Sequence, residues 1–375
     1  MAEPVPSPAT PAAPGGWRRL PKRFWLYAAL LLLAALSPLW NGPRPLELRL
    51  AGTPEQMGRD HGRACKWRIR LLCGVYVKHF IGQWDRNVLA GRTAKALAVR
   101  PTLDPRHRAE AEALIAAAGI EPGLLYLGNS FLDLGYSAAG CRGVVWQRPA
   151  AAGAPGGFLH AHNLDWDSLA GLANWNITIF RRTPADGRCR TVGLALPGML
   201  GALDIINEHG LALSANWAGS GQERPAEPVF LAMRRIAESC RTFAEARAEL
   251  RKLAPDGPFA ITLSAAAEGR AAVFEPQGGR LFERPLAGGV LTADNSLRGN
   301  AMADSVLEIA ARRAAPAGRT PAALQALLAA PDVLLGCNLY SVIFDWPGDR
   351  LYLASGRTPA ASRGHREFPL FGRGE

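Results

Sequence analysis

The pattern of hydrophobic and polar positions divides the 375-residue chain into three parts. Residues 24–43 carry no charge and centre on a run of Leu and Ala that is long enough to cross a bilayer. Residues 44–140 are predicted to be mainly helical, with a typical helix start at Asp104-Pro105 and a typical helix end at Gly119. From Cys141 onward, short apolar segments separated by turn residues indicate β-strands.

The C-terminal part is predicted to contain two runs of strands with helices between them. The predicted strands cover residues 144–146, 158–166, 174–182, 191–196, 202–207, 211–217, 259–265, 271–275, 280–284, 289–293, 339–346 and 350–354. The predicted helices cover residues 228–250, 303–313 and 320–330. This order predicts an α+β fold in which two antiparallel sheets are covered by helices.

The N-terminus predicts a membrane anchor. Residues 1–23 form a Pro/Ala-rich leader, expected to be disordered and cytoplasmic, that ends in four basic residues before the apolar span 24–43. The positive-inside rule then places the rest of the chain outside the cytoplasm, as a single-pass protein of the inner membrane whose main part is periplasmic if the host is Gram-negative. A cleaved signal peptide is the alternative, but Pro38 directly follows the best cleavage site and disfavours it.

Charge and cysteine content narrow the function classes. The formal net charge is +11, but the excess Arg residues are scattered, so we expect no nucleic-acid partner. None of the six cysteines lies in a C-x-x-C pair, which disfavours a zinc ribbon or a thioredoxin-like motif. We expect neither a metal nor an organic cofactor.

Candidate chemistry begins at Gly140-Cys141, where a cysteine starts a predicted strand. The next strand contains His160-Ala-His162-Asn163-Leu-Asp165. Alternation places the two histidines on one face of this strand, and Asn163 and Asp165 on the other. Polar groups on a buried strand are costly unless they have partners or a function, so this strand is a candidate site.

These segments resemble the penicillin acyltransferase-like family of autoproteolytic N-terminal-nucleophile hydrolases, which is related to choloylglycine hydrolase and acid ceramidase. The resemblance rests on Gly140-Cys141, Asn163-Leu-Asp165, Gly52-Thr-Pro-Glu-Gln-Met-Gly58-Arg-Asp-His61-Gly62, the run 110–134, Asn207-Glu-His-Gly-Leu-Ala-Leu-Ser-Ala-Asn216, Leu291-Thr-Ala-Asp-Asn295 and the hairpin 342–356. These motifs occur in the family's order between about residue 50 and residue 360.

The resemblance implies a four-layer αββα sandwich and self-cleavage between Gly140 and Cys141. Cleavage would leave a helical segment (44–140) and a catalytic segment (141–375), which together form an α/β heterodimer. Cys141 would then carry a free α-amine, and this group, with a pKa of about 7.7–8.0, can accept the proton of the neighbouring thiol.

The resemblance also assigns roles to single residues. Cys141 would be the nucleophile, Asp165 would hold the α-amine, Asn216 would donate to the oxyanion, and Asn295 would contact the amine or the oxyanion. Residues expected to contact the substrate or support these groups are Arg142, His162, Asn163, Trp217 and Arg298. The implied reaction is hydrolysis of a linear N-acyl amide, or acyl transfer from it, through a thioester; the substrate is a small N-acyl compound, plausibly lipidic.

Two alternatives stay open at this point. His160, His162 and Asp165 could ligate the metal of a metal-dependent hydrolase, although no further histidine completes a familiar ligand motif. The chain could also be an inactive, membrane-anchored binding protein of the same fold, because Arg142 and His162 depart from the residues usual at these positions in the family.

Overall fold

Two β-sheets form the centre of the fold. The computed structural model describes residues 44–136, 140–148, 156–166, 171–218, 225–253, 258–277, 279–296 and 305–372. Its strands are β1 (Leu46–Gly52), β2 (Gly140–Arg148), β3 (Gly157–Asp165), β4 (Thr178–Pro184), β5 (Thr191–Ala195), β6 (Asp204–Asn207), β7 (Leu211–Trp217), β8 (Phe259–Ala265), β9 (Arg270–Gln277), β10 (Arg280–Pro285), β11 (Val290–Ala293), β12 (Asn338–Asp345), β13 (Arg350–Ala354) and β14 (Arg366–Pro369). Sheet A has the order β1-β4-β5-β6-β7-β8-β9-β10, and sheet B has the order β11-β2-β3-β12-β13-β14.

Helices cover both sheets. The α-helices in the described residues are α1 (Pro54–Ala64), α2 (Lys66–Leu71, continued by π-helical turns over Leu72–Ile81), α3 (Arg86–Leu97), α4 (Pro105–Ala118), α5 (Pro122–Ser130), α6 (Val229–Ser239), α7 (Phe243–Leu250), α8 (Val306–Ala314) and α9 (Pro321–Leu328). Helices α6 and α7 pack on sheet A, and α8 and α9 pack on sheet B. The predicted α+β sandwich of two sheets is therefore confirmed.

Strand alternation separates two apolar layers around sheet B. Val144, Trp146 and Leu159 pack with the side chains of α8 and α9, whereas Val145 and Phe158 pack against sheet A. Odd-numbered residues of β2 and even-numbered residues of β3 therefore face the space between the sheets.

The local signals of the sequence explain most helix ends. The Asp104 side chain accepts a hydrogen bond from the backbone N–H of Arg106 at the start of α4, and Gly119 ends this helix in the left-handed conformation, with φ 64°. The single helix predicted over 228–250 is wrong. A capping box between Thr242 and Glu245 starts a new helix, α7, so that the chain bends after Ser239.

The segment before Cys141 contains several helices, and it also contains one strand that the sequence pattern did not predict. Leu46–Gly52 forms β1, which pairs in parallel with β4 at the edge of sheet A. The residues that precede the candidate cleavage position thus contribute a strand to the same sheet as the residues that follow it.

A buried ion-pair network also joins the two segments. Glu110 of α4 makes two hydrogen bonds with the Arg234 guanidinium of α6, at 3.0 and 2.6 Å, and Arg234 also bonds to Glu238 at 2.7 Å. All three residues are about 1% exposed. Buried charges are tolerated only when they are paired, so this network fixes α4 against α6.

The predicted anchor over 24–43 lies outside the described residues. Among the helices that the structure does describe, none combines the length and the apolar character needed to cross a bilayer.

Candidate active site

Cys141 is the second residue of β2, between β11 and β3 in sheet B. Its register partner on β3 is Leu164, and Gly143 pairs with His162. By alternation, the side chains of Cys141 and His162 both face the space between the sheets. Cys141 is 1% exposed in the continuous chain and belongs to the main buried cluster.

Asn295 connects Cys141 to β7. The backbone N–H of Cys141 donates to Asn295 Oδ1 at 2.8 Å, and Asn295 Nδ2 donates to the carbonyl of Trp217 at 2.5 Å. Arg142 Nη1 lies 3.0 Å from the Cys141 carbonyl and 3.4 Å from Asn295 Oδ1. Two of the predicted site residues, Arg142 and Asn295, therefore meet at the backbone of Cys141.

Asn216, in β7 of sheet A, lies opposite β2 and β11 of sheet B. Its Nδ2 donates to the Ala293 carbonyl at 3.2 Å, and its Oδ1 has no hydrogen-bond partner among the described residues although Asn216 is fully buried. A Cβ atom at Gly143 would lie 3.4 Å from Asn216 Oδ1. The lack of a side chain at Gly143 thus brings an amide close to β2, two residues from Cys141.

His162 belongs to a buried polar group that the sequence did not predict. Its Nδ1 lies 2.9 Å from one carboxylate oxygen of Asp204 and 3.0 Å from the other. Tyr340 donates its hydroxyl hydrogen to the same carboxylate. His162 Nε2 has no hydrogen-bond partner among the described residues.

The charge of His162 follows from these neighbours. Burial lowers the pKa of His162, but the charge and hydrogen bond of Asp204, together with the Cys141 sulfur, raise it to about 10. Burial, followed by the charge of His162, lowers the pKa of His160 to about 3. The two histidines on one strand face therefore differ in charge at neutral pH.

Asp165 lies on the opposite face of β3. It pairs with Gly140 in the strand register, and its Oδ1 accepts a hydrogen bond from Asn338 Nδ2 at 2.9 Å. Its Oδ2 has no partner among the described residues. Burial raises the pKa of Asp165 to about 6, although Asn338, Arg142 and His162 lower it. This carboxyl group is therefore next to the Gly140-Cys141 bond and poorly solvated.

Two further residues were predicted as site residues, Asn163 and Arg298, and the structure does not place either of them at the backbone of Cys141. Asn163 donates to the carbonyl of Leu328 at 3.0 Å, so its amide holds β3 against the end of α9. Arg298 lies outside the described residues. Asn338, Asp204 and Tyr340 complete the site but were missed from sequence; the only signal was a polar residue within or beside an apolar predicted strand.

The metal alternative has no support in this geometry. His160 uses both ring nitrogens on serines, Nδ1 on Ser264 at 2.8 Å and Nε2 on Ser214 at 2.9 Å. His162 bonds to Asp204, and Asp165 points to the other face of the sheet. The three predicted ligands therefore do not converge on one point.

An apolar cavity of about 320 Å³ lies elsewhere, between sheet A and helices α6 and α7. Its walls include Phe259, Ile261 and Phe274, and its polar groups include Asp133. Cys141 does not line this cavity.

Comparison with known proteins supports the resemblance. Residues 155–297 match the family model described as acyl-coenzyme A:6-aminopenicillanic acid acyl-transferase. The matched part includes Asp165, Asn216 and Asn295, and begins after Cys141. The resemblance to this family that the sequence motifs indicated is thereby confirmed. No curated protein sequence matches the chain significantly.

Several solved structures are similar to this one. An N-acylethanolamine-hydrolyzing acid amidase ortholog from Caenorhabditis elegans has a TM-score of 0.45 and 18% identity, covering 61% of this chain and 100% of its own. The C2A mutant of the conjugated bile acid hydrolase from Clostridium perfringens has a TM-score of 0.37 and 11% identity, covering 60% of this chain and 92% of its own.

Proposed function

On the basis of the family match over residues 155–297, we propose that this chain is an N-terminal-nucleophile amidohydrolase or acyltransferase that acts on non-peptide carbon–nitrogen bonds. Its nucleophile is Cys141, which self-cleavage after Gly140 turns into a chain terminus. The observation that carries the proposal is the position of Cys141: it is the second residue of an inner strand, and its backbone N–H donates to Asn295.

Self-cleavage starts with attack of the Cys141 sulfur on the Gly140 carbonyl carbon. The Cys141 nitrogen leaves and takes a proton, which gives a thioester between Gly140 and the sulfur. Water then hydrolyses the thioester, so that Gly140 ends in a carboxylate and Cys141 carries a free amine. Asp165, opposite Gly140 in the strand register, is placed to hold the new ammonium group.

The catalytic cycle uses the same sulfur on an N-acyl substrate. The sulfur attacks the acyl carbon, the amine leaves with a proton, and water or a second amine takes the acyl group from the thioester. Asn216 supports the negatively charged oxygen of the tetrahedral intermediate, and a well-placed donor of this kind contributes about 3–4 kcal/mol in the transition state.

The contacts between the segments favour a heterodimer that stays together after cleavage. β1 remains paired with β4, and Glu110 remains paired with Arg234. The substrate that fits the proposal is a small N-acyl compound, and the uncharged span 24–43, if it anchors the chain in the inner membrane, would place the enzyme near lipidic amides in the periplasm.

The test is intact mass and N-terminal sequencing of purified protein, followed by a panel of N-acyl amides. We expect a fragment beginning at Cys141, and amide hydrolysis that a thiol alkylator stops and a chelator leaves unchanged. Cys141→Ala should stay full length and inactive, and Cys337→Ala, at an exposed cysteine, is the matched control. An uncleaved wild-type chain without thiol-dependent activity would instead support the binding-protein alternative, and loss of activity with a chelator would support the metal alternative.

A further inference from the structure

Three side chains with metal-binding atoms meet at the turn between β6 and β7, at one end of sheet A. The Cys189 sulfur, a ring nitrogen of His209 and a carboxylate oxygen of Glu208 all lie within 4.8 Å of one another. Thiolate, imidazole and carboxylate are the ligands that Zn²⁺ takes in proteins. We propose that these three residues bind a structural zinc ion, which ties the β6–β7 hairpin to the start of β5.

The proposed zinc site lies far from Cys141. β7 has seven residues and leads from the turn to Trp217, whose carbonyl accepts a hydrogen bond from Asn295. Asn295 in turn accepts a hydrogen bond from the backbone N–H of Cys141. At about 3.3 Å per residue, the strand separates its two ends by about 20 Å. The zinc ion therefore takes no part in the proposed reaction, and the zinc site does not rest on that reaction. Chelation should still leave amide hydrolysis unchanged as long as the protein stays folded.

Backbone contacts hold the ligand residues in place. Asn207 orders the turn, because its Oδ1 accepts hydrogen bonds from the backbone N–H groups of His209 and Leu211, each at 3.0 Å. Its Nδ2 donates to two carbonyls at the end of α6. The backbone N–H of Cys189 donates to the carbonyl of Glu238, in the last turn of the same helix, at 2.9 Å. The turn and Cys189 are thus both fixed to one helix end.

Zinc binding needs only small changes in these side chains. With bond lengths of about 2.0–2.3 Å, the ligand atoms of a tetrahedral zinc ion lie about 3.3–3.8 Å apart. Side-chain movements of about 1 Å bring the three ligand atoms from within 4.8 Å into this range. His209 and Glu208 are partly exposed, so a water molecule can take the fourth position, as in zinc sites with three protein ligands.

The groups around the ligands are compatible with a bound cation. Each carboxylate oxygen of Glu208 accepts one hydrogen bond from Arg190, at 2.8 and 2.7 Å. Such an oxygen keeps a lone pair for a metal, and ligating carboxylates are commonly hydrogen-bonded in this way. Burial and the charge of Glu208 raise the pKa of the Cys189 thiol, whereas Arg241 lowers it. Zn²⁺ replaces the thiol proton on binding, so the proton is released to solvent and the buried sulfur becomes a ligand.

The experiment adds Co²⁺, as a spectroscopic substitute for Zn²⁺, to purified protein that has been treated with a chelator and kept reduced. We expect one Co²⁺ per chain and a near-ultraviolet charge-transfer band from the bond between thiolate and Co²⁺, which excess Zn²⁺ removes. Zn²⁺ should also raise the melting temperature, since an ion that binds only the folded state stabilises it. A folded protein that shows no such band overturns the proposal.

Variants assign the metal to Cys189 and His209. Cys189→Ser should abolish the charge-transfer band, and His209→Gln should weaken Co²⁺ binding at least tenfold. Cys141→Ala is the matched control and should keep the band, because Cys141 lies far from the β6–β7 turn. Circular dichroism checks that each variant is folded.

Three outcomes overturn the zinc site. A band that persists in folded Cys189→Ser, or that is lost in Cys141→Ala, places the metal at another thiol. Unchanged Co²⁺ affinity in folded His209→Gln removes the histidine ligand, and this test holds even if Cys189→Ser does not fold. None of these readouts requires amide hydrolysis, so failure of the zinc site and failure of the proposed function are distinguishable.

Discussion

The backbone N–H of Cys141 donates a 2.8 Å hydrogen bond to the side-chain oxygen of Asn295, a residue that follows it by 154 positions in the chain. The same amide group of Asn295 donates to the Trp217 carbonyl of the opposite sheet. Asn295 therefore connects the backbone nitrogen of Cys141, in sheet B, to Trp217 of sheet A.

Replacing Asn295 by Ala should slow self-cleavage without unfolding the protein. A buried group that loses its partner costs about 1–3 kcal/mol, which corresponds to a roughly ten- to hundredfold lower rate if the contact is needed in the transition state. The measurement is the fraction of cleaved chain against time after translation. Ser296→Ala, at the exposed next residue, is the control and should cleave at the wild-type rate. Equal rates for the two variants would remove Asn295 from the mechanism.

Asn216→Ala should lower kcat/KM for an N-acyl amide by about 10²–10³-fold, because it removes the side chain that the proposed mechanism assigns as donor to the developing oxyanion. Asn163→Ala provides a matched control, since this asparagine bonds to the Leu328 carbonyl on the outer side of sheet B. The control should lose stability and keep most of its kcat. If Asn163→Ala costs as much activity as Asn216→Ala, the assigned donor is wrong.

Glu110→Gln should weaken the contact between the two segments. In the uncleaved Cys141→Ala background we expect the free energy of unfolding to fall by about 3–5 kcal/mol, because Arg234 loses one of its two buried carboxylates. Urea unfolding measures this loss, and gel filtration of cleaved Glu110→Gln should show separated fragments.

The control for the Glu110→Gln variant is Glu112→Gln, which changes a glutamate two residues further along α4. Glu112 pairs with Arg100 in a salt bridge whose side chains are about half exposed, so its loss should cost less than about 1 kcal/mol. Similar losses for Glu110→Gln and Glu112→Gln would mean that the buried network does not hold the segments together.

Because of Asp133, the free energy of unfolding should fall as the pH rises. Burial raises its pKa to about 7, against the lowering effect of its hydrogen bonds with backbone amides, one of them that of Val229. The folded state therefore binds more protons than the unfolded state between about pH 4 and pH 7, and stability falls as pH increases through this window.

Asp133→Asn removes that dependence. We expect the variant to be more stable than the wild type at about pH 8, by an amount on the order of 4 kcal/mol, since the pKa rises by about three units and one pKa unit corresponds to about 1.4 kcal/mol. Near pH 4 the two proteins should be almost equally stable. Denaturant unfolding at both pH values tests this, and a constant difference between them would show that Asp133 does not titrate in this range.

Local sequence signals were enough to predict most strands of the two sheets. Both strands of the β8–β9 hairpin were predicted from alternation and the turn at Glu268-Gly269, and the structure places them there. β1 was missed because its alternation covers only a few residues within an otherwise helical segment, and its partner β4 lies more than 120 residues later. The four-residue edge strand β14 gives an even weaker signal.

The site was only partly accessible to sequence reasoning for a related reason. Alternation decides on which face of β3 each side chain lies, so the placement of His162 and Asp165 on opposite faces could be predicted. The partners of these two residues could not, because Asp204 comes from sheet A, and Asn338 and Tyr340 come from a strand near the end of the chain. Which strands become neighbours is decided by the tertiary fold.

The position of β2 inside sheet B sets an order of events during synthesis. One neighbour of β2 is β11, which leaves the ribosome about 145 residues after it. The groups that surround Cys141 are thus incomplete until most of the polypeptide has been made and the two sheets have closed on each other. Under the proposed chemistry, a chain that stops early or folds badly keeps its peptide bond after Gly140, and scission of that bond marks the molecules that have reached the native state.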